Sequence, residues 1–272
     1  MCDRLEHAEL SRTVVTCSVA AVVGVYLLVT FVASYRRLWH DELFTFYIAT
    51  APSWSRLWKE IALDLNPPLE YVLVRLSTSL FGWSNYAVRL PSIAGFLAGS
   101  LCLWVFVARR LSACYGLLAV SVFWASPFFY YASEARPYAL VTCFLGLTLI
   151  AWERATRLGR HWSTVACLGF SVSAMMLSHL MSPLYVAPFC LAELARWWRT
   201  RRIDLAVWSA LLLPCAIPFV YLRLMARFGE SVFPAAFQAS LTKVPEAYYG
   251  TLRLEALPLL VGLGAAALTG SA

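Results

Sequence analysis

Between residues 13 and 34 the chain runs without a single charged side chain. A bilayer's hydrocarbon core of about 30 Å is crossed by roughly 20 apolar residues in a helix, so a run of this length makes a membrane helix the first expectation. The run is long, Asp3, Arg4, Glu6, Glu9 and Arg12 precede it, and no small-residue cleavage site follows, which reads as an uncleaved span rather than a secretory leader. Further apolar stretches follow at 90–108, 115–131, 137–152, 162–178, 183–194, 205–222 and 257–272, giving about eight candidate spans, of which 183–194 also reads as a re-entrant or tilted element. Composition agrees: at 61% hydrophobic and 14% charged over 272 residues, the apolar surface exceeds what a soluble core of this size can bury. The prediction is one all-α integral membrane domain over 1–272.

Short loops rich in Lys and Arg resist translocation and so mark the cytoplasmic side. Arg109 and Arg110 follow the second span, Arg154, Arg157 and Arg160 the fourth, and Arg196, Arg199, Arg201 and Arg202 the sixth. With those loops inside, the N-terminus is cytoplasmic, and 35–89, 132–136, 179–182 and 223–256 face outward. Trp152, Trp162, Trp197, Trp198 and Trp208 flank the basic loops, while Trp39, Trp54, Trp58 and Trp83 lie on the other side, as interfacial belts would. The net charge of +7 follows from this topology and from contact with anionic membrane lipids, so nucleic acid is not an expected partner. The cysteines fall in spans or on the inner side, which argues against a disulfide framework, and the four histidines are too scattered for a zinc site.

The outward segment 35–89 concentrates charge at the membrane edge: Arg36, Arg37, His40, Asp41 and Glu42. A carboxylate beside hydrocarbon is partly desolvated and gains basicity, which suits a general base; ordinary interfacial solvation is the competing reading. Downstream, Trp54, Leu57, Trp58, Ile61 and Leu65 recur at helical spacing, predicting an amphipathic helix on the membrane surface. Asn66-Pro67-Pro68 breaks it, and a second short helix is predicted over 69–80. Glu134 and Arg136 in the third loop, and His179 after the fifth span, are outward groups at the membrane boundary. For the first two, function and a mutual structural pair are both open; for His179, a polar interfacial residue is the alternative.

The ordered set Asp41-Glu42, Asn66-Pro67-Pro68-Leu69-Glu70-Tyr71, Phe81-Gly82, Arg89-Leu90-Pro91-Ser92 and Ser133-Glu134-Ala135-Arg136-Pro137-Tyr138, with His179, resembles bacterial multi-spanning glycosyltransferases related to protein O-mannosyltransferases and the lipid A aminoarabinose transferase. The resemblance covers roughly residues 38–200. It implies a GT-C-type transmembrane bundle and transfer from a polyprenyl-phosphate-linked sugar donor, on the extracytoplasmic face of the cell membrane, to a hydroxyl of an unidentified protein, lipid or glycan acceptor. By that resemblance Asp41 is the general base, and Glu42 orients the acceptor or the first loop. Arg136 and Arg89 are the cations that meet the donor phosphate, and His40, Asn66, Pro67, Pro68, Tyr71, Glu134, Tyr138 and His179 shape the site.

The family commonly has histidine where this chain has Asn66, which disfavours a metal there, and nothing else in the sequence supports a divalent metal or another cofactor. Family members usually continue for several more spans, and the last apolar run here has no basic stop, so a shortened chain is expected. The alternatives are a polytopic transporter and a noncatalytic transferase-derived membrane protein. A transporter would carry ionisable residues near the midplane of related halves, whereas these spans are nearly free of charge and show no internal repeat.

Overall fold

The computed structural model describes residues 2–62, 64, 66–157 and 161–226, all within the first of the chain's two units, Met1–Phe228. Among them every regular element is helical: α1 (Cys2–Ala33), α2 (His40–Ala49), α3 (Trp54–Ile61), α4 (Leu69–Phe81), α5 (Asn85–Ala108) and α6 (Ala113–Ala125), then a 3-10 turn (Pro127–Ser133), α7 (Tyr138–Arg157), α8 (Trp162–Ser178), α9 (Pro183–Thr200), α10 (Leu205–Leu212), a 3-10 turn (Leu213–Cys215) and α11 (Ala216–Ala226). The described residues thus form an all-α assembly with apolar helices suited to a membrane. Helix starts follow local chemistry: Ser53, Ser84 and Ser112 each accept a hydrogen bond from the backbone N–H three residues on, satisfying a donor that the first turn leaves free.

Among the described residues three single helices are long and apolar enough to cross a bilayer, Thr16–Ala33, Asn85–Ala108 and Tyr138–Arg157. The run expected as a span over 115–131 is long and apolar enough only as a bent pair, Ala113–Ala125 with Pro127–Ser133, a broken span or a re-entrant element. Pro127 disfavours helix at the residue before it, Ser126 is extended, and the chain bends by 83° into the 3-10 turn. That bend carries residues 132–136 towards the first loop. The span expected over 205–222 forms one shorter apolar helical run, Leu205–Tyr221, which passes through the second 3-10 turn at Pro214. The helix expected over 183–194 runs on to Thr200, and the run 257–272 lies outside the described residues.

The tightest packing joins α5 to α7. A Cβ on Gly99 would lie 2.9 Å from the Thr142 backbone, and one on Gly146 would lie 2.7 Å from the Cys102 Cβ. Small residues at such a crossing let two backbones approach where lipid provides no hydrophobic drive. On α1, by contrast, Val25, Leu28 and Val32 are exposed, as a lipid-facing surface requires. The ends of the bundle also sort by charge. Arg110 Nε lies 3.0 Å from Glu153 Oε1, Arg196 Nη2 lies 2.6 Å from Glu193 Oε2, and Trp152 Nε1 donates to Glu193 Oε1 at 2.8 Å. The basic loops after α5, α7 and α9 therefore share one end, and the opposite end gathers α2, α3, α4 and the 126–137 and 179–182 turns.

Pro91 falls inside α5, where its missing N–H leaves the carbonyl of Ala87 without its helical donor. Ser77 Oγ of α4 donates to that carbonyl at 2.6 Å. The proline thus opens a docking point for the first loop.

Candidate active site

Asp41 and Glu42 are neighbours in the first turn of α2, yet a helix turns ~100° per residue and sends them different ways. Glu42 points into the protein and is fully buried. Its Oε1 accepts from Arg89 Nε at 2.7 Å and from the Ala135 N–H at 3.0 Å; its Oε2 accepts from Arg89 Nη2 at 2.6 Å and from the Trp39 N–H at 3.2 Å. The Trp39 bond is the reach-back half of a capping box, fixing the start of α2.

Arg89 is equally enclosed. Beyond Glu42 it donates to the carbonyls of Ser34, at 2.9 Å, Arg36, at 2.9 Å, and Arg37, at 3.2 Å. A guanidinium has five N–H donors, and all are engaged. The expectation that Arg89 meets a donor phosphate is therefore corrected: it has no N–H to offer and no surface to offer it from. Glu42 is likewise closed to an acceptor, and its bonds instead tie α2 to α5 and to the 126–137 turn.

Beside that pair a second ion pair closes the turn. Arg36 Nη2 donates to the Ser133 carbonyl at 3.0 Å and to Glu134 Oε1 at 3.2 Å, with its guanidinium over the Tyr130 ring. Glu134 is buried, and burial raises its carboxyl above the usual range. Of the two readings open for Glu134 and Arg136, the mutual pair is replaced: Glu134 pairs with Arg36, which leaves Arg136 free to turn towards Asp41.

Arg136 Nη2 lies 3.3 Å from Asp41 Oδ2, with both side chains partly exposed, and His40 Nδ1 lies 3.4 Å from Asp41 Oδ1. Arg136 also sits over the Tyr138 ring, which packs against His179 at 5.3 Å between centroids. The Met181 N–H donates to His179 Nδ1 at 3.0 Å. With Nδ1 accepting, the ring proton sits on Nε2, and burial together with the Arg136 charge lowers the His179 pKa, keeping the ring a neutral donor. An apolar groove of about 200 Å³ opens here, with Phe123, Phe128, Val141 and Leu145 behind Tyr138 and His179.

The remaining motif residues gather a short way off. Tyr71 and Asn66 both donate to Asp64 Oδ2, and the Tyr221 hydroxyl of α11, with one proton to give, lies 2.7 Å from the Ile61 carbonyl and 2.8 Å from the Asn66 carbonyl, holding the turn that contains Pro67 and Pro68. Among the described residues no group of three His, Cys, Asp or Glu side chains is placed to hold a metal ion.

Glu70 has no role in the sequence reading, though it stands within the Asn66–Tyr71 motif. It is fully buried, and Ser92 Oγ lies 3.3 Å from both Glu70 Oε1 and the Arg136 carbonyl. A serine has one O–H to give. That single proton serves either Glu70 Oε1 or the Arg136 carbonyl, and Glu70 Oε2 is buried with no partner, so a charged Glu70 is poorly supported there and the protonated form is favoured. Burial pushes the Glu70 carboxyl up to about 8, against smaller opposing effects of Ser92 and Arg136. Because the folded value exceeds the unfolded one, this group's stabilisation is complete below the ordinary carboxylate range and is lost as pH rises towards 8. Glu70→Gln is expected to flatten the pH dependence of thermal unfolding and to melt above wild type at pH 8.5, by ~2–4 °C per kcal/mol recovered. Parallel wild-type and variant curves would exclude a protonated Glu70.

Residues 65–222, more than half of the chain, match the family model described as dolichyl-phosphate-mannose-protein mannosyltransferase. Neither a curated protein nor a solved structure matches the chain. The family carries with it a membrane setting and a lipid-linked sugar donor. Taken with the helical bundle that gathers Asp41, Arg136, Tyr138 and His179 at one end, the match settles the assignment: this chain belongs to the dolichyl-phosphate-mannose-protein mannosyltransferase family of membrane glycosyltransferases.

Proposed function

We propose that the protein transfers a sugar from a polyprenyl-phosphate-linked donor to a hydroxyl acceptor at the extracytoplasmic face of the cell membrane, with Asp41 as general base. The observation that carries this reading is the Asp41–Arg136 pair at 3.3 Å beside an apolar groove. One carboxylate able to take a proton, one guanidinium able to meet a phosphate and a wall suited to hydrocarbon stand together there.

In the reaction the acceptor hydroxyl attacks the anomeric carbon, and its proton passes to Asp41. The new glycosidic bond forms as the bond from that carbon to the phosphate oxygen breaks, and polyprenyl phosphate leaves with the electron pair. Charge grows on the phosphate as it departs, and a preorganised cation stabilises that charge. Arg136 fills this role, and His179 Nε2 adds a neutral donor on the same side of the groove. His40 sits outside the Asp41 carboxylate, while Glu42, Arg89, Glu134 and Arg36 hold the loop that positions the base. The shared basic end supports placing that end in the cytoplasm, which puts the N-terminus inside and the site outside.

Membranes containing the protein, supplied with a radiolabelled polyprenyl-phosphate sugar, test the reading. Arg136→Gln is expected to reduce transfer by about 10²-fold, comparable to losing one charge-stabilising donor elsewhere, and to raise the donor concentration needed for half-saturation. Unchanged donor consumption by Arg136→Gln would overturn the assignment.

A further inference from the structure

A second cavity, of about 640 Å³, lies along α2 on the side towards α3, and Phe44, Tyr47, Arg56, Glu60 and Asp64 are among its lining residues. We infer that this cleft is the acceptor subsite and that it takes a neutral, hydroxyl-rich carbohydrate. The inference rests on the reading of Asp41 given above, and four features of the cleft lead to it.

The cleft begins one helical turn from the base, at Phe44. Asp41, Phe44 and Ile48 are spaced three and four apart along α2, which places them on one face. Phe44 stands only ~4.5 Å along the helix axis from Asp41, at 1.5 Å per residue. A ligand lying against Phe44 needs to extend only about one helical turn beyond the cleft to present a hydroxyl to Asp41.

Charge separates this cleft from the donor groove. Arg56 Nη2 lies 2.6 Å from Glu60 Oε1, so those two charges offset one another, and Asp64 leaves the lining net negative. A phosphate is repelled here and drawn to Arg136. The cleft therefore suits a ligand without negative charge.

Chemistry narrows the class. One side offers the rings of Phe44 and Tyr47, which are 53% and 67% exposed. The polar side offers carboxylate acceptors and a guanidinium donor. A sugar has an apolar C–H face and a rim of hydroxyls, and it matches both.

The walls are also braced before any ligand arrives, which lowers the cost of binding. Arg75 Nη1 donates to the carbonyls of Ala49, at 3.0 Å, and Ala51, at 2.6 Å, while its guanidinium lies over the Trp54 ring. On the other wall Tyr71 and Asn66 fix the Asp64 carboxylate. In this reading Tyr71 and Asn66 aim Asp64 at the acceptor and do not touch the donor.

The test uses the full chain in lipid nanodiscs and neutral gluco-, galacto- and manno-disaccharides as probes, followed by saturation-transfer NMR and equilibrium dialysis. An uncharged serine- and threonine-containing hexapeptide is the competing probe, and polyprenyl phosphate reports on the donor side. At least one disaccharide is expected to bind wild type. Tyr47→Ala and Asp64→Asn are each expected to weaken it about tenfold, equivalent to ~1.4 kcal/mol, with polyprenyl phosphate binding unchanged. Tyr47 is largely exposed, so its variant keeps the fold even if Asp64→Asn disturbs the loop, and an unchanged melting temperature checks this. Binding of the peptide alone, binding of no disaccharide, or equal disaccharide affinity in wild type and Tyr47→Ala would each overturn the inference. These titrations need no turnover, so failure of the sugar-transfer reading would show separately, as donor consumption that Asp41→Asn leaves untouched.

Discussion

Arg89→Ala is expected to destabilise the protein by ~3–5 kcal/mol, the range for stranding one member of a buried ion pair. The variant removes two of the four donors to Glu42 and leaves that carboxylate enclosed with the N–H groups of Trp39 and Ala135 alone. It also removes the donor to three loop carbonyls, those of Ser34, Arg36 and Arg37. A marginally stable fold has little margin for such a loss, so accumulation in membranes should fall steeply and protease resistance with it. Removing Glu42 as well should restore part of the loss, because the stranded charge is then absent; the shortfall of the two single variants against the double measures the coupling. An Arg89→Ala protein as protease-resistant as wild type would show that Arg89 is not the keystone of the first loop.

Asp41→Asn is expected to do the reverse. The Asp41–Arg136 pair is partly exposed, and exposed pairs contribute only ~0–1 kcal/mol, so folding and membrane levels should match wild type. Sugar transfer should fall by ~10²–10⁴-fold, the usual contribution of a positioned general base. The comparison uses the same radiolabelled polyprenyl-phosphate sugar, and equal donor consumption in the two proteins would remove Asp41 from the mechanism. With these outcomes the two variants would separate neighbours that look interchangeable in sequence, assigning position 41 to the reaction and position 42 to the fold.

That separation could not be read from the sequence, because side-chain direction at the start of a helix depends on where the helix begins. The apolar runs revealed the class of fold, since lipid imposes helices on a spanning chain. They did not reveal the bend at Ser126, although the Ser-Pro step that causes it is visible in retrospect. Residues that meet an unpaired group from a distant element were the least legible. Ser77 matters because Pro91 frees a carbonyl, and Arg36 matters because Glu134 is enclosed beside it. Glu70 carried a readable sign, an acidic residue in the first turn of an otherwise apolar short helix, but its importance comes from Ser92 and Arg136, which lie 22 and 66 positions further on. Tyr221 shows the same limit: a tyrosine near the end of an apolar run fixes a proline turn more than 150 residues earlier.

The ligands of Glu42 also set an order of assembly. Its four donors come from residues 39, 89 and 135. While the chain is being inserted, that carboxylate waits through the emergence of α5 and α6 before its last partner is made. The bonds that fix Glu42 are therefore complete only almost a hundred residues of synthesis after Trp39, when the 126–137 turn brings the Ala135 N–H beside Asp41's neighbour.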